Sequence, residues 1–199
     1  MKKYSQISNK LVALLMLSVF IMPLGVSAAT DTDNTTINAT VASVITMTTS
    51  GSVGINITPV TGGAQSSASD TVTISTNNSA GFDLTLANSD ATLTLTKGGD
   101  TIAAHAGTYA SPTALANNSW GYAVGGLGTF DASYSALSNV TSSATKWAGV
   151  PTSGSPQNIK STSSTASGDT TTVWYSAKAD PTKPNGSYTD TVTYTATTK

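Results

Sequence analysis

The stretch SYTDTVTYTATT, residues 187–198, decides the fold. Tyr188, Val192 and Tyr194 stand at even positions, while the odd positions from 189 to 197 are all threonine. An alternation of apolar and polar residues with a period of two predicts a β-strand with one buried face. Asp190 is a polar residue on the face that is otherwise apolar. We therefore expect this strand to lay its even-numbered side chains against a core.

Similar short alternations recur along the chain. They predict strands at the following residues: 53–60, 70–76, 82–86, 93–95, 101–104, 120–124, 146–150, 158–161 and 171–177. Turn signals separate them, at residues 62–69, 77–81 and 97–100. A long apolar period of 3.6 residues is absent from the sequence after residue 29, so we expect an all-β fold, a single β-sandwich. The predicted core is Val72, Ile74, Phe82, Leu84, Leu86, Tyr188, Val192 and Tyr194.

The first 29 residues have the three parts of a secretory signal peptide. Lys2, Lys3 and Lys10 precede an apolar run at residues 11–22, and small residues follow at 26–29. We expect cleavage after Ala28 or Ala29, leaving residues 30–199 as one domain that is secreted to the cell surface. The apolar run is shorter than the roughly 20 residues that cross a bilayer, so we expect no membrane span after cleavage.

Composition excludes several classes of function. The exported part carries six lysines and ten aspartates, a net charge near −4, with neither arginine nor glutamate. Nucleic-acid recognition needs a basic face, so we expect no nucleic-acid partner. The chain has no cysteine, which excludes disulfides and thiol chemistry.

Residues for catalysis or metal binding are scarce. His105 is the single histidine of the chain, so most of the residues that usually form a catalytic triad or a zinc site are missing. We expect it to be an ordinary loop residue, and we expect no enzyme and no cofactor. Asp31 and Asp33 resemble the start of a calcium loop without its glycine and glutamate. Calcium stays open as an alternative, because Asp83, Asp90 and Asp131 lie in segments that loops could bring together.

The middle of the chain, residues 105–172, is predicted to be irregular, and loops of this length are often functional. Five aromatic residues lie in it or beside it: Trp120, Tyr122, Phe130, Tyr134 and Trp147. If exposed, they would bind a glycan or a protein surface. We expect instead that the two tryptophans fill the core of the sandwich.

Residues 35–49, TTINATVASVITMTT, form the first alternating segment after the leader. Two alternatives remain open for it. It pairs within its own sheet, or it leaves its domain as a donor strand and places Ile37, Val41 and Ile45 in pockets of a neighbouring copy. The first alternative gives a monomer and the second a fibre.

Two stretches carry a resemblance to known groups. The closing GSYTDTV, residues 186–192, and the opening NATVASVITM, residues 38–47, resemble strands of fimbrial subunits with an immunoglobulin-like or pilin-like fold. TVTISTNNSAGFDLTL, SPTALANNSWGYAV and WAGVP resemble secreted Ser/Thr-rich β-sandwich surface proteins of reduced-genome candidate-phylum bacteria.

The resemblance to fimbrial subunits implies an immunoglobulin-like, pilin-like sandwich that acts as a non-enzymatic structural or adhesive subunit at the cell surface, while the second resemblance implies no particular activity. The implied partners of such a subunit are other copies of itself, or a protein or glycan of a host or cell surface. The alternative is a monomeric module that binds a carbohydrate or protein through the middle loops.

Overall fold

The structure, a computed structural model, describes residues 28–127, 130 and 145–199. Within these residues there are nine strands and no helix. The strands are β1 (Ile45–Thr48), β2 (Ala64–Thr76), β3 (Phe82–Asn88), β4 (Leu95–Lys97), β5 (Asp100–Ala104), β6 (Ser119–Val124), β7 (Gln157–Ser161), β8 (Ala166–Ala179) and β9 (Val192–Thr198). The predicted signal peptide falls almost wholly outside the described residues.

The strands form two sheets. The larger has the order β1-β2-β8-β6-β5-β4, and the smaller has the order β7-β3-β9. All neighbouring pairs are antiparallel except β5 and β6, which are parallel. The predicted all-β sandwich is confirmed at this level.

The long antiparallel ladder of β2 and β8 is the spine of the larger sheet. It runs in register from Ala64 opposite Ala179 to Ile74 opposite Asp169. Its inner face carries Val72 and Val173, both fully buried. Because β1 joins β2 and β6 joins β8, this pair positions the rest of the sheet.

In the smaller sheet, β3 is the central strand. Its Phe82, Leu84 and Leu86 are fully buried, while Asp83 and Thr85 are partly exposed on the opposite face. Gly81 introduces the strand at φ 86°, and a Cβ there would lie 2.5 Å from the carbonyl oxygen of Thr162. A residue with a side chain would be strained at this turn, which is why glycine occupies it.

Several predicted strands are confirmed and others need correction. The predictions at 70–76, 82–86, 101–104, 120–124, 158–161 and 171–177 correspond to β2, β3, β5, β6, β7 and β8, and residues 97–100 make the predicted hairpin turn between β4 and β5. The turn expected at 62–69 is wrong from residue 64 onward, because pairing with β8 holds these small residues in β2. Residues 146–150 form isolated bridges at Trp147 and Ala148 instead of a strand.

The strand predicted at residues 53–60 is also wrong. Val53, Ile55 and Ile57 do alternate between half-buried and exposed neighbours, as the pattern predicts, but they join no sheet. Gly54 and Pro59 interrupt the segment. Proline has no N–H to donate to a ladder, and glycine weakens a strand, so both residues oppose regular pairing here.

The predicted core is confirmed in its central part. Val72, Ile74, Phe82, Leu84 and Leu86 are all at most 1% exposed. The other three predicted residues, Tyr188, Val192 and Tyr194, pack against this core but stay half-exposed. The last strand is shorter than predicted, because β9 begins at Val192 and Tyr188 lies before it. Val192 and Tyr194 face the core as predicted, but the other sheet covers them only in part.

The chain divides into two units, Met1–Thr40 and Val41–Lys199. In the first unit, the described residues 28–40 have no regular secondary structure and are exposed throughout. The second unit contains both sheets. Asn77 holds its beginning in place, because the side-chain amide donates to the Ala42 carbonyl oxygen at 2.9 Å and accepts from the Val44 N–H at 2.8 Å.

The central position of β3 gives a test of the fold. Leu84→Ala should lower the free energy of unfolding by about 2–5 kcal/mol, because it leaves a cavity in a fully buried site. Thr195→Ala, on the exposed face of β9, is the matched control and should change it by less than about 0.5 kcal/mol. Urea unfolding followed by circular dichroism measures both. Equal, small effects would contradict the assigned core face.

Candidate functional site

The candidate site lies along the outer edge of β9. This strand pairs with β3 on one side, and no strand of the described chain pairs with it on the other. β1 lies nearby but is not hydrogen-bonded to it. An unpaired edge offers a row of backbone donors and acceptors to another chain.

The register of β9 shows which of its backbone groups are unpaired. Hydrogen bonds at the two ends of the ladder use the Thr191 carbonyl oxygen and the Lys199 N–H. In an antiparallel pair alternate residues face the partner, so the odd-numbered residues of β9 bond to β3. The N–H and C=O groups of Val192, Tyr194 and Ala196 therefore point outward.

Beside this edge, the two sheets leave a cleft. A cavity of about 360 Å³ is lined by Val53, Ile55, Leu95, Tyr188, Val192 and Tyr194, among others. A second cavity, of about 620 Å³, shares Val53, Ile55, Leu95 and Tyr188 with the first. Together they form one groove, which we call the cleft. Its walls are mostly aliphatic and aromatic, so it suits apolar side chains.

The floor of the cleft is a buried polar network. Asp70, 5% exposed, accepts hydrogen bonds from the Ser50 N–H at 2.9 Å and the Ser50 hydroxyl at 2.6 Å. Tyr194 also interacts electrostatically with Asp70, and its hydroxyl lies 2.6 Å from that of Tyr175. Burial raises the pKa of Tyr175 and the pKa of Tyr194. Both phenols are therefore protonated at neutral pH, and the hydrogen bond between them ties β8 to β9.

Asp190 is the polar residue of the predicted apolar face, and it lies in the wall of the cleft. Its carboxylate accepts a hydrogen bond from the Asn88 side-chain amide at 2.7 Å. Burial raises the pKa of Asp190 above its usual value. The cleft therefore has an apolar wall with a carboxylate near one end.

The predicted donor segment is divided by the structure. Ile45 lies in β1, opposite Thr76 of β2, and is half-buried in its own sheet. Ile37 and Val41 are each 84% exposed. We call the exposed residues 28–41 the arm. Its role as a donor strand stays a prediction.

The aromatic residues of the middle lie inward. Trp120, Tyr122, Phe130 and Trp147 are 4%, 1%, 6% and 0% exposed, while Tyr134 lies outside the described residues. The Trp120 indole donates to the Leu93 carbonyl oxygen at 3.0 Å. As expected, the two tryptophans fill the interior. Partner binding by the set stays a prediction, and it would require the four described side chains to leave their packing.

The candidate calcium ligands do not converge in the described part of the chain. Asp83 accepts a hydrogen bond from Ser161 at 2.6 Å, which lowers the pKa of its carboxyl group. Asp90 lies beyond the opposite end of β3, and Asp131 lies outside the described residues. Among the described residues, no group of three acidic, histidine or cysteine side chains could hold a metal ion.

His105 is more buried than the sequence indicated. It is 7% exposed, its Nε2 lies 2.9 Å from the Thr113 hydroxyl, and its Nδ1 accepts from the Ala116 N–H at 3.4 Å. Gly107, Gly121 and Gly149 crowd around it, because a Cβ at any of them would lie within 3.3 Å of a His105 atom. These contacts anchor the loop between β5 and β6.

Sequence reasoning missed the cleft and its floor. A signal was present, because Asp70 shares its parity with Val72 and Ile74 and so had to face inward. Ser50 gave no such signal, since it reaches Asp70 through the turn after β1. The unpaired edge of β9 depends on the order of strands, which alternation alone does not specify.

No protein-family model, curated protein or solved structure matches the chain. In the described segments, no helix has both the length and the apolar character to cross a membrane.

Burial of His105 predicts a pH effect on stability. Desolvation lowers the pKa of His105 below its usual 6.5 in the folded protein. As the pH falls through 6.5, the unfolded chain therefore takes up the proton first, and the free energy of unfolding decreases. Urea unfolding at about pH 7.5 and about pH 5.5 should show a larger loss for the wild type than for His105→Gln. The same loss in both proteins would assign it to other groups.

Proposed function

We propose that the chain is a secreted, non-enzymatic structural or adhesive subunit of the cell surface, and that copies assemble by strand addition. The observation that carries this proposal is the arm, which exposes Ile37 and Val41 at 84% each. Side chains of this size gain free energy when they are buried in a partner. In the proposed assembly, the arm of one copy adds to the sheet of the next.

The free edge of β9 supports the proposal. Strand addition takes its affinity from backbone pairing and its specificity from pockets that receive alternate side chains. β9 offers the outward groups of Val192, Tyr194 and Ala196, and the cleft beside it is apolar. Each contact joins an arm to a different surface, so it is head-to-tail and repeats into a filament.

The sequence supports the location and the fold type. The leader at residues 1–29 has the parts of a secretory signal, and the closing GSYTDTV resembles strands of pilin-type, immunoglobulin-like subunits. We therefore keep export to the cell surface, and an immunoglobulin-like type of sandwich, as parts of the proposal. The partners are other copies of the chain or a protein or glycan of a cell surface.

A monomeric module that binds a glycan or protein through the middle loops is the second candidate. We place it second because Trp120, Tyr122 and Trp147 are buried and present little surface to a ligand. The two candidates differ in the state of the exported protein, which is a filament in the first and a monomer in the second.

The arm gives the test. In the exported chain, residues 30–199, Ile37→Asp with Val41→Asp should abolish self-association, because each charge would enter an apolar cleft at a cost of roughly 2 kcal/mol or more. Thr36→Asp with Thr40→Asp adds the same charge at alternate positions of the arm and is the matched control. Light scattering after size exclusion, with electron microscopy, measures assembly.

The proposal requires filaments of the wild type and of the control, and monomers of the Ile37→Asp, Val41→Asp variant. Filaments of that variant would contradict a role for the arm. A monomeric wild type that is retained on immobilised glycans would favour the second candidate.

A further inference from the structure

Residues 53–59, which we call the plug, already occupy part of the cleft. Val53, Ile55 and Ile57 are half-buried, line its cavities and pack against the core. The residues that alternate with them, Gly54, Asn56 and Thr58, are exposed. The plug thus presents its side chains as a strand would.

The backbone of the plug is not paired as a strand would be. It belongs to neither sheet, and no backbone hydrogen bond joins residues 53–59 to another part of the described chain. Pro59 has no N–H, and Gly54 has no contact within 4 Å of a Cβ placed on it. The plug therefore shields apolar surface while the outward groups of β9 stay unpaired.

The arm and the plug share a sequence pattern. The arm reads Ile-Asn-Ala-Thr-Val at residues 37–41, and the plug reads Ile-Asn-Ile-Thr-Pro at residues 55–59. Ile, Asn and Thr match at three of the five positions, with the apolar residues at the same parity. The arm segment 35–41 contains neither glycine nor proline, so it can form the ladder that the plug cannot.

We propose that the plug is a resident substitute for the arm, and that the arm of a second copy displaces it from the cleft and pairs with β9. This inference rests on the proposed function, since it names the acceptor surface for the arm. Segment 35–41 and β9 are each seven residues long, so the two match in length.

Backbone hydrogen bonds between the arm and β9 favour the exchange, and the covalent connection of the plug to its own cleft opposes it. In this alignment Ile37 and Ala39 would replace the half-buried Ile55 and Ile57, and Val41 would take the position of the exposed Pro59. The backbone bonds to β9 are the gain. The plug is tethered to its own cleft, so it holds an advantage in effective concentration over an arm in solution. Assembly should therefore begin only above a threshold protein concentration.

The test uses the full exported chain with Ile37→Asp and Val41→Asp as the receptor, and a synthetic peptide of residues 34–44 as the probe. Fluorescence anisotropy of the labelled peptide gives its dissociation constant. Ile55→Ser in the receptor should tighten binding about tenfold, because a weaker plug leaves the cleft open in more molecules. Asn56→Ser, at an exposed position, is the matched control and should leave the constant unchanged. If Ile55→Ser does not fold, Val53→Ser replaces it as the test variant, because Val53 also lines the cleft.

Displacement is read separately by alkylation, since the chain has no cysteine of its own. In the same receptor, a thiol introduced by Ile55→Cys should react about tenfold faster with a maleimide when peptide saturates the cleft. A thiol introduced by Asn56→Cys is already exposed and should keep its rate.

The outcomes separate this inference from the function on which it rests. If the wild type forms arm-dependent filaments but Ile55→Ser leaves peptide affinity unchanged or weakens it, the plug is not displaced and only the inference fails. An unchanged alkylation rate at the Ile55→Cys thiol in the saturated receptor has the same meaning. If the wild type stays monomeric and the peptide does not bind, the proposed function and the inference both fail.

Discussion

A sheet of three strands cannot cover a sheet of six. The smaller sheet has the order β7-β3-β9, against the six strands of the larger sheet. Apolar side chains of the larger sheet that the smaller sheet does not cover need cover from another part of the chain, because their exposure to water is unfavourable. In the described chain, residues 53–59 cover part of this apolar surface without backbone pairing.

The difference in size between the two sheets explains why β9 is only half-buried on its core face. Val192 and Tyr194 pack against the core on one side and border the cleft on the other. The network of Asp70, Ser50, Tyr175 and Tyr194 fixes the floor, so the cleft is bounded by hydrogen-bonded groups. An incompletely covered strand beside a fixed floor provides what strand addition needs.

Alternation predicted most of the fold because each confirmed strand has one face in the core. Phe82, Leu84 and Leu86 show the pattern in its simplest form, and the structure buries all three. The pattern failed where pairing partners decide the outcome. Ala64–Ser69 is strand because β8 lies opposite, although its small polar residues suggested a turn.

The candidate site was predictable only in parts, for the same reason. The spacing of Ile37 and Val41 predicted strand residues, whereas the structure leaves both exposed and outside any strand. The inward position of Asp70 could have been read from its place on the same face as Val72 and Ile74. The order β7-β3-β9, which leaves an edge unpaired, depends on contacts between residues far apart in sequence. Ser50 reached the floor through a turn whose course no periodicity specifies.

The unpaired edge of β9 is the central claim, and amide hydrogen exchange of the monomeric exported chain tests it most directly. Thr193 and Thr195 donate to β3, whereas the N–H groups of Tyr194 and Ala196 point outward. The account predicts that the outward amides exchange on the order of a hundredfold faster than their paired neighbours. Equal, strong protection of both sets in the monomer would contradict it, because the edge would then already be covered.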